Sequence, residues 1–142
     1  MANSYTSLSS ALPIPKGKEE EAVKLIESLV EHYENGDGDL EWLDVYWSVE
    51  DHGTDQPFIW FRHDESANPS AVEIIARELL EHFKLDEPFC CEWACTCSKP
   101  RIGEFGGGCF IAKRGMDTVW VDSFREAWRQ FHEAEKLSEG EG

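Results

Sequence analysis

Basic residues are scarce in this chain. Thirteen lysines and arginines stand against 29 aspartates and glutamates, a formal net charge of −16 at pH 7. A surface with that balance repels phosphate backbones and anionic lipid, so direct nucleic-acid binding is not expected. Long apolar runs are missing as well: none approaches the roughly 18 residues that a membrane span needs. The opening residues, MANSYTSLSSALPIPKGK, lack the basic-then-apolar order of a secretory leader. These absences lead us to expect a cytoplasmic chain that makes no membrane contact. The signatures of common chemistries are also lacking. There is no H-E-x-x-H, no nucleophile elbow, no G-K-[ST] phosphate loop and no C-x₂-C pair. The five histidines, His32, His52, His63, His82 and His132, are scattered. We therefore expect no catalytic residues, no cofactor and no metal.

What the chain does have suits one domain. Its 142 residues are 41% hydrophobic and 12% aromatic, enough for a real core. Residues 1–142 read as a single α+β domain, with 137–142 as a frayed acidic tail. Residues 4–14 alternate loosely and read as a strand, which Pro13 and Pro15 either confine to a sheet edge or end. Ala22, Ile26, Leu29, Val30 and Tyr33 then recur at helical spacing. Glu19, Glu20 and Glu21 stand in the first turn, where the helix dipole favours negative charge, and Asn35-Gly36 supplies a stop. In LEWLDVYWSVED, Leu43, Val45, Trp47 and Val49 form the apolar face of a second strand, and a turn over 52–57 leads into a third.

Asn68-Pro69-Ser70 opens a second helix, with Val72, Ile75, Ala76, Leu79, Leu80 and Phe83 on its apolar stripe. Asp117–Val121 reads as a short late strand. Ser123 and Glu126, at capping-box spacing, start a third helix that carries Phe124, Ala127, Trp128 and Phe131 on one face. The order predicts a ferredoxin-like β-α-β-β-α-β antiparallel sheet with two helices on one face, extended by a C-terminal β-hairpin and a third helix.

Residues 88–111, PFCCEWACTCSKPRIGEFGGGCFI, read as a β-hairpin with a basic tip and a glycine-rich return strand. The spacing of Cys90, Cys91, Cys95, Cys97 and Cys109 fits no zinc site, so reduced structural thiols are expected. Alternation puts Cys91, Trp93, Cys95 and Cys97 on one face. If Cys95 fills space under the helices, serine there should cost roughly 1–3 kcal/mol. Gly106, Gly107 and Gly108 are expected to give a bulge, or a bare sheet surface beneath a bulky neighbour such as Trp93. An alternative use of the hairpin is as an anion- or phosphate-binding site, in a ligand-binding protein or an enzyme, formed by Lys99, Arg101, Gly106, Gly107 and Gly108.

Charge is unevenly spread. Residues 1–56 hold 13 acids and 3 lysines, whereas 99–129 carry a net charge of +2. Glu19, Glu20, Glu21, Glu27, Glu31, Glu34, Asp37 and Asp39 are thus the candidate partner-binding residues. They predict a non-enzymatic protein whose acidic surface occupies a basic, nucleic-acid-binding groove on a partner protein. The segments YTSLSSALPIPKG, DESANPSAVEIIARELL and EWACTCSKPRIGEFGGGCFI together resemble a family of small ferredoxin-like proteins from bacteria, phages and other mobile elements. That resemblance carries no assigned reaction. It implies a mobile-element setting, in which an inhibitor of host machinery is the expected role.

Overall fold

A computed structural model of the chain describes residues 4–33, 46–51, 53–99 and 105–140. Along the chain lie β1 (Ser4–Pro13), α1 (Glu19–His32), β2 (Tyr46–Glu50), β3 (Phe58–His63), α2 (Pro69–His82), β4 (Phe89–Cys97), β5 (Gly106–Ala112), β6 (Val119–Asp122) and α3 (Ser123–Gly140). The strands form one six-stranded sheet in the order β2-β3-β1-β4-β5-β6, with every neighbouring pair antiparallel. The fold is α+β, an open antiparallel sheet with three helices.

β1 lies inside the sheet, between β3 and β4, so its prolines do not put it at an edge. Pro13 is instead its last residue, opposite Phe58, where a missing N–H costs the ladder least. The expected stop at Asn35-Gly36 and the strand residues 40–45 lie outside the described residues.

Alternation divides the sheet into two faces. Leu8 and Leu12 of β1, Ile59 and Phe61 of β3, Phe89 and Cys91 of β4, and Phe110 and Ala112 of β5 are all buried on one of them. Ala22 and Ile26 of α1 and Val72, Ile75, Ala76, Leu79 and Leu80 of α2 join the same core cluster, so both helices cover that face. α2 starts as its residues dictate. The Asn68 side chain accepts from Ser70 N–H, and Pro69 takes the first turn, where no N–H is needed. α1 and α2 are also tied at their surface by Glu21 Oε2 and His82 Nε2, 3.1 Å apart.

The other sheet face carries no helix of this pair. It presents Ser9 and Ala11, Cys90, Glu92 and Ala94, and Ile111 and Val119 to solvent. On it the Arg62 guanidinium lies 4.2 Å above the Trp60 ring, and the Trp60 indole donates to Ser9 Oγ at 2.9 Å.

α3 begins one residue away from its expected cap. Asp122 Oδ1, not the Ser123 hydroxyl, accepts from the N–H groups of Phe124 and Arg125, both at 3.1 Å. A carboxylate is the stronger acceptor and also meets the positive end of the helix dipole. Glu126, released from any capping box, pairs with Arg129, which holds its carboxyl well below the usual range, at about 2. The helix runs on through Gly140.

Candidate functional site

Three of the acids singled out on α1 share one ridge. Glu20, Glu27 and Glu31 stand at i, i+7 and i+11, which sets them about 10 Å and about 6 Å apart along the helix. The same periodicity puts Ala22 and Ile26 underneath, so burying the apolar stripe forces this ridge outward. All three are exposed, and none has a cationic partner among the described residues. Lys24 lies on the ridge between them.

Glu19 and Glu21 are placed differently. Glu19 is half-buried and accepts from the Gly17 N–H at 3.2 Å, closing the turn ahead of the helix. Glu21 leans across to His82 on α2. Glu34, Asp37 and Asp39 lie outside the described residues. α2 extends the acidic layer with Glu73, Glu78 and Glu81. The two helices together carry eight carboxylates against Lys24 and Arg77.

At the hairpin, Lys99 is exposed just beyond β4, and Arg101 lies outside the described residues. The glycines serve the sheet. Gly108 pairs with Trp93 on one side and Asp122 on the other. A Cβ on Gly108 would sit 2.2 Å from Val121 O and 2.7 Å from the Trp93 ring. A Cβ on Gly107 would sit 2.6 Å from Trp93 O. The strand is bare here so that the indole can lie flat on it, and Trp93 in turn leans on Trp120, with ring centroids 5.9 Å apart. Gly106 is different, since its nearest neighbour, Ser123 Oγ, is 3.9 Å away. It borders an open groove of about 520 Å³ lined by Thr6, Cys95, Thr96, Ser123 and Arg125 among others.

The cysteines do not form one environment. Only Cys91 is fully buried. Cys90 is exposed, and Cys95, Cys97 and Cys109 lie between these extremes. Alternation does place Cys91, Cys95 and Cys97 on one side of β4, but that strand runs on past the cover of the helices. Cys95 therefore does not fill core space. It borders the groove with its sulfur 3.9 Å from Thr6 Oγ1, so the expected cost of serine there moves to Cys91. Burial pushes the Cys91 thiol up to about 11, with the Ser10 hydroxyl acting in the opposite sense. Burial also raises Cys90, with Cys109 and Glu92 adding to it. Among the described residues no three His, Cys, Asp or Glu side chains converge in a way that could hold a metal ion.

The surface that residue-by-residue reading left unassigned is α3. Its apolar stripe faces solvent, with Phe124 69%, Trp128 47% and Phe131 52% exposed. Among the described residues, no helix is long and apolar enough to cross a membrane. No family model, curated protein or solved structure matches this chain.

Proposed function

We propose that this is a non-enzymatic interaction protein whose acidic helical layer occupies a basic, nucleic-acid-binding surface of a partner protein. The observation that carries the reading is the outward ridge of Glu20, Glu27 and Glu31, whose carboxylates form no salt bridge among the described residues and outnumber the one lysine on the ridge, Lys24. Unpaired acids on a rigid helix cost little conformational entropy to present. They also lend themselves to fast association with a basic groove. In this reading the interaction is cytoplasmic, and the resemblance to mobile-element proteins implies inhibition of host machinery. The framework we infer for it is a ferredoxin-like unit made of β1 to β4 with α1 and α2. The order 2-3-1-4 within the sheet and the two helices sharing one face support this, with β5, β6 and α3 as the extension.

The test is capture from host lysate at low and at high salt, using the wild-type chain and the triple variant Glu20→Lys, Glu27→Lys, Glu31→Lys. A basic nucleic-acid-binding protein should be retained by the wild type at low salt and released by salt. The variant should not retain it. If no basic protein is recovered at low salt, or the variant captures the same protein equally well, the proposal is wrong.

A further inference from the structure

An 18-residue helix that meets the sheet beside β5 and β6 but buries none of its described side chains is marginal in water, because most helical stability in proteins comes from burying an apolar face. α3 has such a face and leaves it open. Phe124, Ala127, Phe131, Ala134 and Ser138 follow one another at steps of three and four, the spacing of a two-helix seam. Trp128 flanks that seam. Its ring meets those of Phe124 and Phe131 edge to face, with centroids 6.2 and 5.5 Å away. The rings thus form one continuous strip.

We propose that α3 is a self-association surface and that its occupant is α3 of a second copy, running antiparallel about a two-fold axis. Three independent features select this occupant. The first is size. The two phenylalanines occupy one set of seam positions and the two alanines the other. In an antiparallel pair the two sets face each other, so each Phe meets a partner Ala, and large and small groups alternate as a close-packed seam requires. A parallel pair would set Phe on Phe and leave Ala opposite Ala.

The second feature is charge. Arg125, Glu126, Arg129, Glu133 and Lys136 lie on the half of α3 turned away from the seam, with Arg129 bonded to Glu126 and Glu133 of its own helix. Among the described residues Glu135 is the one charge that flanks the seam, so a second copy can pair there with almost no like charge brought together.

The third is area. With about 200 Å² per ring, the exposed fractions of Phe124, Trp128 and Phe131 come to about 340 Å² per copy. Two copies bury about 700 Å², the apolar share of the smallest stable interfaces. A lipid surface fits less well, because a helix that lies on membranes carries a basic polar face, and this one is mixed on a chain of charge −16.

Sedimentation equilibrium of the full chain tests the proposal, with Trp128→Glu and Phe131→Glu as separate variants. The wild type should sediment at twice its 16.2 kDa, and each variant at the monomer mass with an unchanged melting curve for the sheet. Because both side chains are exposed, neither change threatens the core. Ala127→Phe should weaken the dimer by about tenfold or more, because Ala127 meets Phe131 of the second copy and two-fold symmetry doubles the clash. Adding Phe131→Ala to that variant should restore it, since the large and small sets then exchange places. A wild type that stays monomeric at hundreds of micromolar overturns the proposal, whether or not it floats with lipid vesicles. So does a dimer that survives both glutamate variants, and failure of the size swap to restore association overturns the antiparallel arrangement.

Discussion

Gly108→Ala should be the most damaging single-methyl change in the sheet. The added Cβ meets a backbone oxygen, Val121 O, at 2.2 Å and the Trp93 ring at 2.7 Å. Neither can yield alone, because Val121 is held in the β5–β6 ladder and Trp93 in the β4–β5 ladder. Overpacking of this kind costs about 1–3 kcal/mol. Lifting the indole off β5 exposes roughly half of its surface, about 100 Å², which adds about 2.5 kcal/mol. Alanine recovers about 0.5–1 kcal/mol over glycine in a strand through lower chain entropy. The net loss is about 2.5–5 kcal/mol.

Gly106→Ala is the matched control, since its new methyl group meets nothing closer than 3.9 Å and should be neutral or slightly stabilising. Urea unfolding under reducing conditions, followed by tryptophan fluorescence and far-UV circular dichroism, reads both. Equal midpoints for the two variants would refute the reasoning, because the two glycines would then be interchangeable. A double-mutant cycle with Trp93→Ala separates the contributions. Coupling should appear between Gly108 and Trp93, while the clash with Val121 O persists in the double variant.

Cys91→Ser should destabilise the fold by about 1–2 kcal/mol, because a hydroxyl costs more to bury among these apolar side chains than a thiol even with the Ser10 hydroxyl beside it, whereas Cys95→Ser should stay within about 0.5 kcal/mol. Denaturant midpoints check the pair, and similar losses for both would show that β4 is buried along its whole length. The same burial sets an alkaline limit. The Cys91 thiol is raised in the folded state to about 11, so its contribution is intact below its unfolded value near 9 and is lost as pH climbs from there through 11. Stability should fall by about 2–3 kcal/mol across that window, and Cys91→Ala should flatten the fall relative to the wild type. An unchanged slope in the variant would assign the loss to other groups.

Where the sequence could be read, the reason was periodicity backed by a local signal. α2 is the clearest case. Its stripe, its Asn68 cap and its Pro69 all act within a few residues of one another, so nothing distant was needed to place it. The Glu20, Glu27, Glu31 ridge was legible in the same way, as the complement of the buried Ala22 and Ile26. Glu21 was not, because its partner His82 lies 61 residues away and only packing brings the two helices together. Cys95 shows a second limit. Alternation tells which face of β4 a residue takes, but not how far along the strand the helical cover reaches. The shift of the α3 cap from Ser123 to Asp122 is a third. Two adjacent residues could both cap, and the carboxylate wins through its charge. The stripe on α3 marks an apolar face, but nothing among the described residues covers it.

The two surfaces differ in the physics that drives them. Association through the α1 ridge is Coulombic between exposed groups, so ions screen it over a Debye length of about 8 Å at physiological salt. Its on-rate should fall as salt rises. Association through α3 is dominated by aromatic burial, which salt does not screen, and only its flanking charges respond. Self-association also has to overcome repulsion between two chains of −16. That repulsion is weakest where the chain is nearly neutral, and the residues from 99 to 129, which lead into and begin α3, are the part of the chain that meets this condition. Raising salt should therefore leave the dimer intact or tighten it while the acidic layer loses its partner. A single preparation could then distinguish one surface from the other without any substitution.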